Sequence, residues 1–233
     1  MKIALLGYGR MGKEIEKIAI SRGHEIVIKS EGIEAYDITM ADAAIDFSIP
    51  DSAFKNISNC IQHQVPVVSG TTGWLEKYAD AVALCHENKG AFIYASNFSL
   101  GVNIFFELNN QLAKMMRQLK DYSVSIEEIH HTQKLDAPSG TAITLAEGIL
   151  ENSDFSQWEL DQATTKDNLP IYAKRIADVP GTHTVSYTSE VDEIHINHTA
   201  KNRQGFALGA VIAAEWLLNK TGVYSMRDVL NIV

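Results

Sequence analysis

Cysteine is scarce: Cys60 and Cys85 are the only two in 233 residues. They have no metal-ligand spacing, so a thiolate metal site or a disulfide framework is not expected, and reduced thiols of a cytosolic protein are. Basic residues are in deficit, 20 Lys and Arg against 29 Asp and Glu, which leaves a formal net charge of −9. That argues against a nucleic-acid partner, whose footprint is a basic stripe. It does not exclude an anionic small molecule, because a local group of His, Lys and helix N-termini can outweigh the global sign. No apolar run approaches the roughly 20 residues that cross a bilayer, so no membrane contact is expected. No secretory leader is legible at the N-terminus either, and a cytoplasmic location follows as the expectation. What the chain does have is ordinary globular composition, 45% hydrophobic and 21% charged, with length enough for one or two domains and a sizeable core.

The first hundred residues alternate strand and helix. Lys2 to Leu6 reads as a short buried strand, Lys13 to Ser21 as a helix with Ile15, Ile18 and Ala19 on one face, and Glu25 to Lys29 as a second strand. Between the first strand and helix lies Gly7-Tyr8-Gly9-Arg10-Met11-Gly12, a G-x-G-x-x-G turn. In that position the first Gly makes the turn, the second lets backbone approach a pyrophosphate, and the third packs helix on strand. Glu31, just past the second strand, suits a ribose hydroxyl, while Lys29 would favour a 2′-phosphate, so NADH and NADPH both stay open. Further strands at 43–47, 65–69 and 91–95 end in polar turns, where open parallel sheets hold ligands. Gly70, Thr71 and Thr72 in one of these turns suit the nicotinamide and its ribose.

The rhythm changes near residue 100. A long amphipathic helix spans Val102 to Leu119, a strand Ser123 to Ile129, and a helix begins at Ala142. Residues 151–169 read as loop with limited structure. Thr182 to Ser189 and Glu193 to Thr199 read as a hairpin, followed by helices at 207–218 and 224–233. The parallel pattern is confined to the first hundred residues, so a second domain on an antiparallel or mixed sheet is expected.

Between that strand and helix, Glu127 to Ala142 packs two imidazoles, an ammonium, three carboxylates and a Ser-Gly-Thr turn into sixteen residues. His130 and Lys134 are close enough along the chain to act as acid and base on one small molecule. Ser139 or Thr141 can cap the helix, and the first N–H groups beyond it can hold a carboxylate. Asp136 orients Lys134 or caps the helix; Glu127 and Glu128 are read as a strand-end charge pair rather than catalytic carboxylates. His183, His195 and His198 raise the question of zinc, but an exposed strand face explains His195 and no metal is assigned.

The stretch from Glu128 to Ala142 resembles the pattern E-x-H-H-x-x-K-x-D-A-P-S-G-T-A of the 4-hydroxy-tetrahydrodipicolinate (dihydrodipicolinate) reductase family at every fixed position. The likeness extends to Gly7 to Gly12, Ile45 to Ser48, Gly70 to Gly73, Ala95 to Ser99 and the tail from His198 to Leu217. The family reduces a cyclic imine dicarboxylate with NADH or NADPH on the route to diaminopimelate and lysine. The resemblance implies a Rossmann-like α/β domain, residues 1–99 completed by the C-terminal helices at 207–233. It also implies a central α+β domain on a mixed sheet, residues 100–206, that binds substrate and forms a homotetramer. By the same resemblance His130 and Lys134 are catalytic, and His131, Gly140 and Thr141 hold substrate. Gly7 to Gly12, Gly70 to Thr72, and Ala95, Ser96, Asn97 and Phe98 hold the cofactor. Where many relatives carry Gly-Glu-His, this chain has Gly181-Thr182-His183. The competing readings are another two-domain NAD(P)-dependent reductase or amino-acid dehydrogenase, and a non-catalytic dinucleotide sensor.

Overall fold

The apolar run Lys2–Leu6 forms β1, whose four residues after Lys2 are all buried. Such a strand needs cover on both faces. In the computed structural model, which describes residues 1–31, 36–202 and 204–232, it has that cover. β1 is flanked in parallel by β2 (Glu25–Ser30) and β3 (Ala43–Asp46). The sheet continues through β4 (Val67–Ser69) and β5 (Ala91–Tyr94). Side-chain alternation divides β1: Ile3 and Leu5 face one core, Ala4 and Leu6 the other. The first core is closed by α1 (Arg10–Ser21) and α6 (Gln204–Leu217), the second by α2 (Pro50–Gln62) and α3 (Tyr78–Glu87). This is the doubly wound Rossmann-like arrangement.

The chain divides into two compact units, Met1–Leu100 with Arg203–Val233, and Gly101–Asn202. The second holds a five-stranded mixed sheet in the order β10-β9-β6-β8-β7. Its strands are β6 (Ser123–His130), β7 (Gln157–Leu160), β8 (Asn168–Arg175), β9 (Thr182–Thr188) and β10 (Glu193–Thr199). β9 runs antiparallel to β6 and β10, while β8 runs parallel to β6 and β7. α4 (Leu100–Met116) and α5 (Gly140–Glu151) cover the face that carries Ile126, Ile171, Val185 and Tyr187. The opposite face is polar, with Ser125, Glu127, Tyr172, Lys174, Thr184, Ser186 and His195 in register.

Two expectations are corrected. Residues 151–169, expected as loop, contain β7 and the start of β8. Pro170 speaks against a central strand, but β8 joins β6 only from Ile171 onward, so the proline costs no ladder bond on that side. The parallel sheet is also not confined to the first hundred residues. Gly222–Tyr224 forms β11 beside β5, and the terminal helix α7 is only Met226–Val229. Three residues are too short to show a period.

Candidate active site

On β6, Val124, Ile126, Glu128 and His130 share the face turned toward α4 and α5. The register sets Ile126 beside Ile171 and Val185, an apolar layer. Two residues further along, Glu128 lies opposite His183 on β9, and that residue opposite His198 on β10; His130 lies opposite Arg175 on β8. The inner face of the sheet thus changes from hydrocarbon to titratable groups within one step of the pleat.

Glu128 is 0% exposed and gathers this cluster. Its Oε2 accepts the Ser139 N–H at 3.0 Å, and its Oε1 faces the Arg175 guanidinium at 3.3 and 3.4 Å. Oε2 also lies 3.6 Å from His130 Nδ1 and 3.7 Å from His183 Nε2. Burial alone would raise this carboxyl, but His183, Ser139 and the His130 charge outweigh it and hold it at about 2. The adjacent His130 imidazole, 8% exposed, is driven down to about 4, first by burial and then by His183, Lys134 and Arg175 against the opposing pull of Glu128. The result is an ionised carboxylate beside a neutral imidazole.

Past the strand, Lys134 donates to both oxygens of Asp136 at 2.8 and 2.7 Å. Arg175 holds the same loop from below, donating to the backbone carbonyls of Asp136 at 2.7 Å and Lys134 at 3.4 Å. Ser139 caps α5, its Oγ accepting the Ala142 N–H at 3.2 Å. Asp136 therefore orients Lys134, and the cap belongs to Ser139 rather than Thr141. Gly140 and Thr141 occupy the first turn of α5, where N–H groups lack intrahelical acceptors. A Cβ built on Gly140 would meet nothing within 4 Å, so the helix mouth has room for an anion. His131 follows His130 and is half-buried.

The expected charge pair Glu127–Glu128 is two different things. Glu127 pairs with Lys174 on the polar face, whereas Glu128 organises the buried one. His195 also faces away from His183 and His198, bonded to Ser186 and Glu193, so those three histidines do not converge. Three other ligand atoms do, on Glu128, His130 and His183, all within 4.8 Å of one another. A cation there would have to compete with Arg175, which already balances the carboxylate. Glu128, Arg175 and His183 were absent from the expected site. Glu128 was within reach of the sequence, since residues two apart on a strand share a face with His130. Arg175 was not, because nothing local marks its strand.

In the first unit, the glycine turn satisfies the geometric demands of a dinucleotide site. Gly7 has φ +97°, and a Cβ there would lie 2.1 Å from the Phe47 carbonyl oxygen. One on Gly12 would lie 2.3 Å from the Gly7 carbonyl oxygen, while Gly9 has open space around it. Gly9 is also the N-cap of α1 and offers no side chain to its first N–H groups, which stay available to a phosphate. Arg10 is exposed at this turn; Met11 packs on the core. Lys29 is bound to Glu16 at 2.5 Å and lies over the Tyr8 ring at 4.9 Å, and the Tyr8 hydroxyl donates to the same Glu16. Its charge is thus partly spent, while Glu31 is exposed.

The Gly70–Thr72 turn is fixed by Asp46, which is 0% exposed. Its carboxylate accepts from Ser48, Asn56, Ser69 and Thr71 at 2.7 to 2.9 Å. The Thr71 hydroxyl is therefore occupied and Thr72 is exposed. Ala95, Ser96 and Asn97 are partly or fully exposed beyond β5, but Phe98 is 1% exposed in the core against Phe47. Phe98, expected to hold cofactor, is instead a core residue, its ring against Phe47 and its carbonyl pressed on Gly209 of α6.

The family model described as dihydrodipicolinate reductase, C-terminus, matches residues 101–230, and the N-terminus model matches 27–98. A 4-hydroxy-tetrahydrodipicolinate reductase of Christiangramia forsetii is 63% identical, over 99% of this chain and 98% of its own. One of Thermosipho africanus is 34% identical over the same shares. In fold, the chain is similar to a dipicolinate-bound dihydrodipicolinate reductase from Paenisporosarcina, with TM-score 0.82 and 24% identity over 100% of this chain and 99% of that one.

Proposed function

Since the chain belongs to the dihydrodipicolinate reductase family, we propose that His130 and Lys134 carry its acid–base chemistry and the α5 mouth its substrate carboxylate. The enzyme is an NAD(P)H-dependent oxidoreductase that reduces 4-hydroxy-tetrahydrodipicolinate in diaminopimelate and lysine biosynthesis. Gly7 to Gly12, Glu31, Gly70 to Thr72 and Ala95 to Asn97 hold the cofactor, which supplies the hydride. Hydride addition to a conjugated imine leaves an enamine that must gain a proton, so an acid beside the ring is required. Lys134 is that acid, and its charge favours a dianion. His130 exchanges the proton as a neutral imidazole, with Glu128 behind Nδ1. Gly140 and Thr141 offer N–H groups to one carboxylate, and His131, next along the chain from His130, also holds substrate.

The observation that carries this reading is the bond set of Glu128. One buried carboxylate holds the N-cap of the substrate helix and the arginine that clamps the Lys134 loop, while facing His130. A dinucleotide sensor has no use for such an assembly. The chain also forms a homotetramer in the cytoplasm; the polar face of the second sheet and its edge strand β10 support assembly. Steady-state reduction of the upstream synthase product with NADH and NADPH side by side tests the reading. Turnover is expected with at least one, and tight cofactor binding without turnover contradicts it.

A further inference from the structure

The His130 ring has an unusual support for a group that must meet substrate in one orientation. Its Nδ1 is buried without a hydrogen-bond partner, 3.6 Å from Glu128. Its Nε2 lies at Gly181, where an added Cβ would come within 3.1 Å. Among the described residues no hydrogen bond holds the ring at Nδ1, so packing has to orient it there. The aromatic neighbour is His183, edge-to-face with ring centroids 5.0 Å apart at 71°. His183 is in turn anchored, 5% exposed on β9 with Nε2 3.1 Å from Ser139 Oγ. That hydroxyl accepts from Ala142 N–H at the mouth of α5.

We propose that His183 is a positioning residue for the reductase reaction, setting the His130 imidazole at a fixed place relative to the α5 mouth by bridging the two through Ser139. The proposal rests on the reading of His130 and α5 given above. Its physical content is a chain of contacts: catalytic ring on His183 ring, His183 Nε2 on Ser139 Oγ, Ser139 Oγ on the first turn that holds a substrate carboxylate. A strand residue thereby ties the proton-transfer group to the group that positions the substrate, and small misplacements of either are costly in rate. The charged and titratable groups facing His130 are Glu128 on its own strand, His183 from β9, Arg175 from β8 and Lys134 from the loop. Among these, His183 is the neighbour whose removal takes away both a ring contact and an influence that disfavours protonated His130.

The test compares wild-type enzyme with His183→Ala and His183→Gln, in full-length protein, by kcat, KM and the pH profile of kcat. Glutamine can still reach Ser139 Oγ but cannot titrate or offer an aromatic edge. For His183→Ala, kcat is expected to fall about tenfold or more, with both KM values within about threefold. The acid limb of the profile should move to higher pH, because His130 loses a neighbour that disfavours its protonated form. His183→Gln should recover part of kcat. NMR titration of the His130 ring in each folded variant gives the same pKa displacement without turnover. Should the alanine variant fail to fold, the glutamine variant alone decides, by a lowered kcat and a displaced limb. Wild-type kcat with an unmoved limb overturns the proposal, as does a loss of rate that follows only the folded fraction. Wild-type turnover that survives His130→Gln would instead overturn the underlying reading of His130.

Discussion

Glu128 and His130 show how two residues of one strand acquire opposite protonation preferences. Both are buried, but the carboxylate is surrounded by donors and sits at about 2, while the imidazole has no partner at Nδ1 and sits at about 4. Both folded values lie below the unfolded ones, so each contribution to stability is present at high pH and lost on acidification. For His130 the loss runs from about 6.5 down to about 4, and for Glu128 from about 4.5 down to about 2. Urea midpoints are therefore expected to fall between pH 7 and 5, and His130→Gln should flatten that fall; a midpoint that rises on acidification contradicts the assignment. Among the described residues, Asp136 is the side chain that holds Lys134. Lys134→Ala should lower kcat by about 10²–10⁴, with cofactor affinity unchanged in fluorescence titrations of each nucleotide. Equal loss of nucleotide binding would remove Lys134 from the proton-donor role.

At the scale of elements, position in the fold decides what a residue may be. Gly209 lies inside α6, where alanine ordinarily adds about 1 kcal/mol to a helix. A Cβ there would fall 1.7 Å from the Phe98 carbonyl oxygen, however, so the helix would have to leave the Ala95–Phe98 turn. The overlap wins, and Gly209→Ala is expected to cost at least ~2 kcal/mol in urea unfolding followed by tryptophan fluorescence. A neutral or stabilising result would show that α6 does not press on that turn. The long helices and the strand at 123–130 are legible from periodicity and those at 43–46 and 91–94 from short apolar runs, because each buries one face or both. β8 is not: Pro170 stands third in it and its last two residues are Lys174 and Arg175, and its place between β6 and β7 follows from which ladders it joins.

For the molecule as a whole, the charge of −9 has to coexist with a dianionic substrate. In the proposed site local cations would offset it, since Lys134 and Arg175 lie within a few residues or one strand of His130, backed by the α5 dipole. The second sheet is covered by helices on one face and polar on the other, with β10 at an edge. Light scattering should give four times the 25.7 kDa of the chain, and a monomer at micromolar concentration would leave that face without its proposed partner. Among the described residues no helix is long and apolar enough to cross a membrane.

The dinucleotide turn and the His130–Lys134–Gly140 stretch could be read from the chain by themselves, because the chemistry there is local. A turn needs glycine where backbone crosses backbone, a helix needs a cap, and Lys134 finds its carboxylate on Asp136, two residues along. Three-dimensional folding alone made Glu128, Arg175 and His183 into one assembly. They come from three strands up to 55 positions apart in number, Glu128 to His183, and only the register of β6 with β8 and β9 puts them on one face. A strand's alternation says which residues point together; which strands lie side by side is set by how the whole sheet buries its apolar layer.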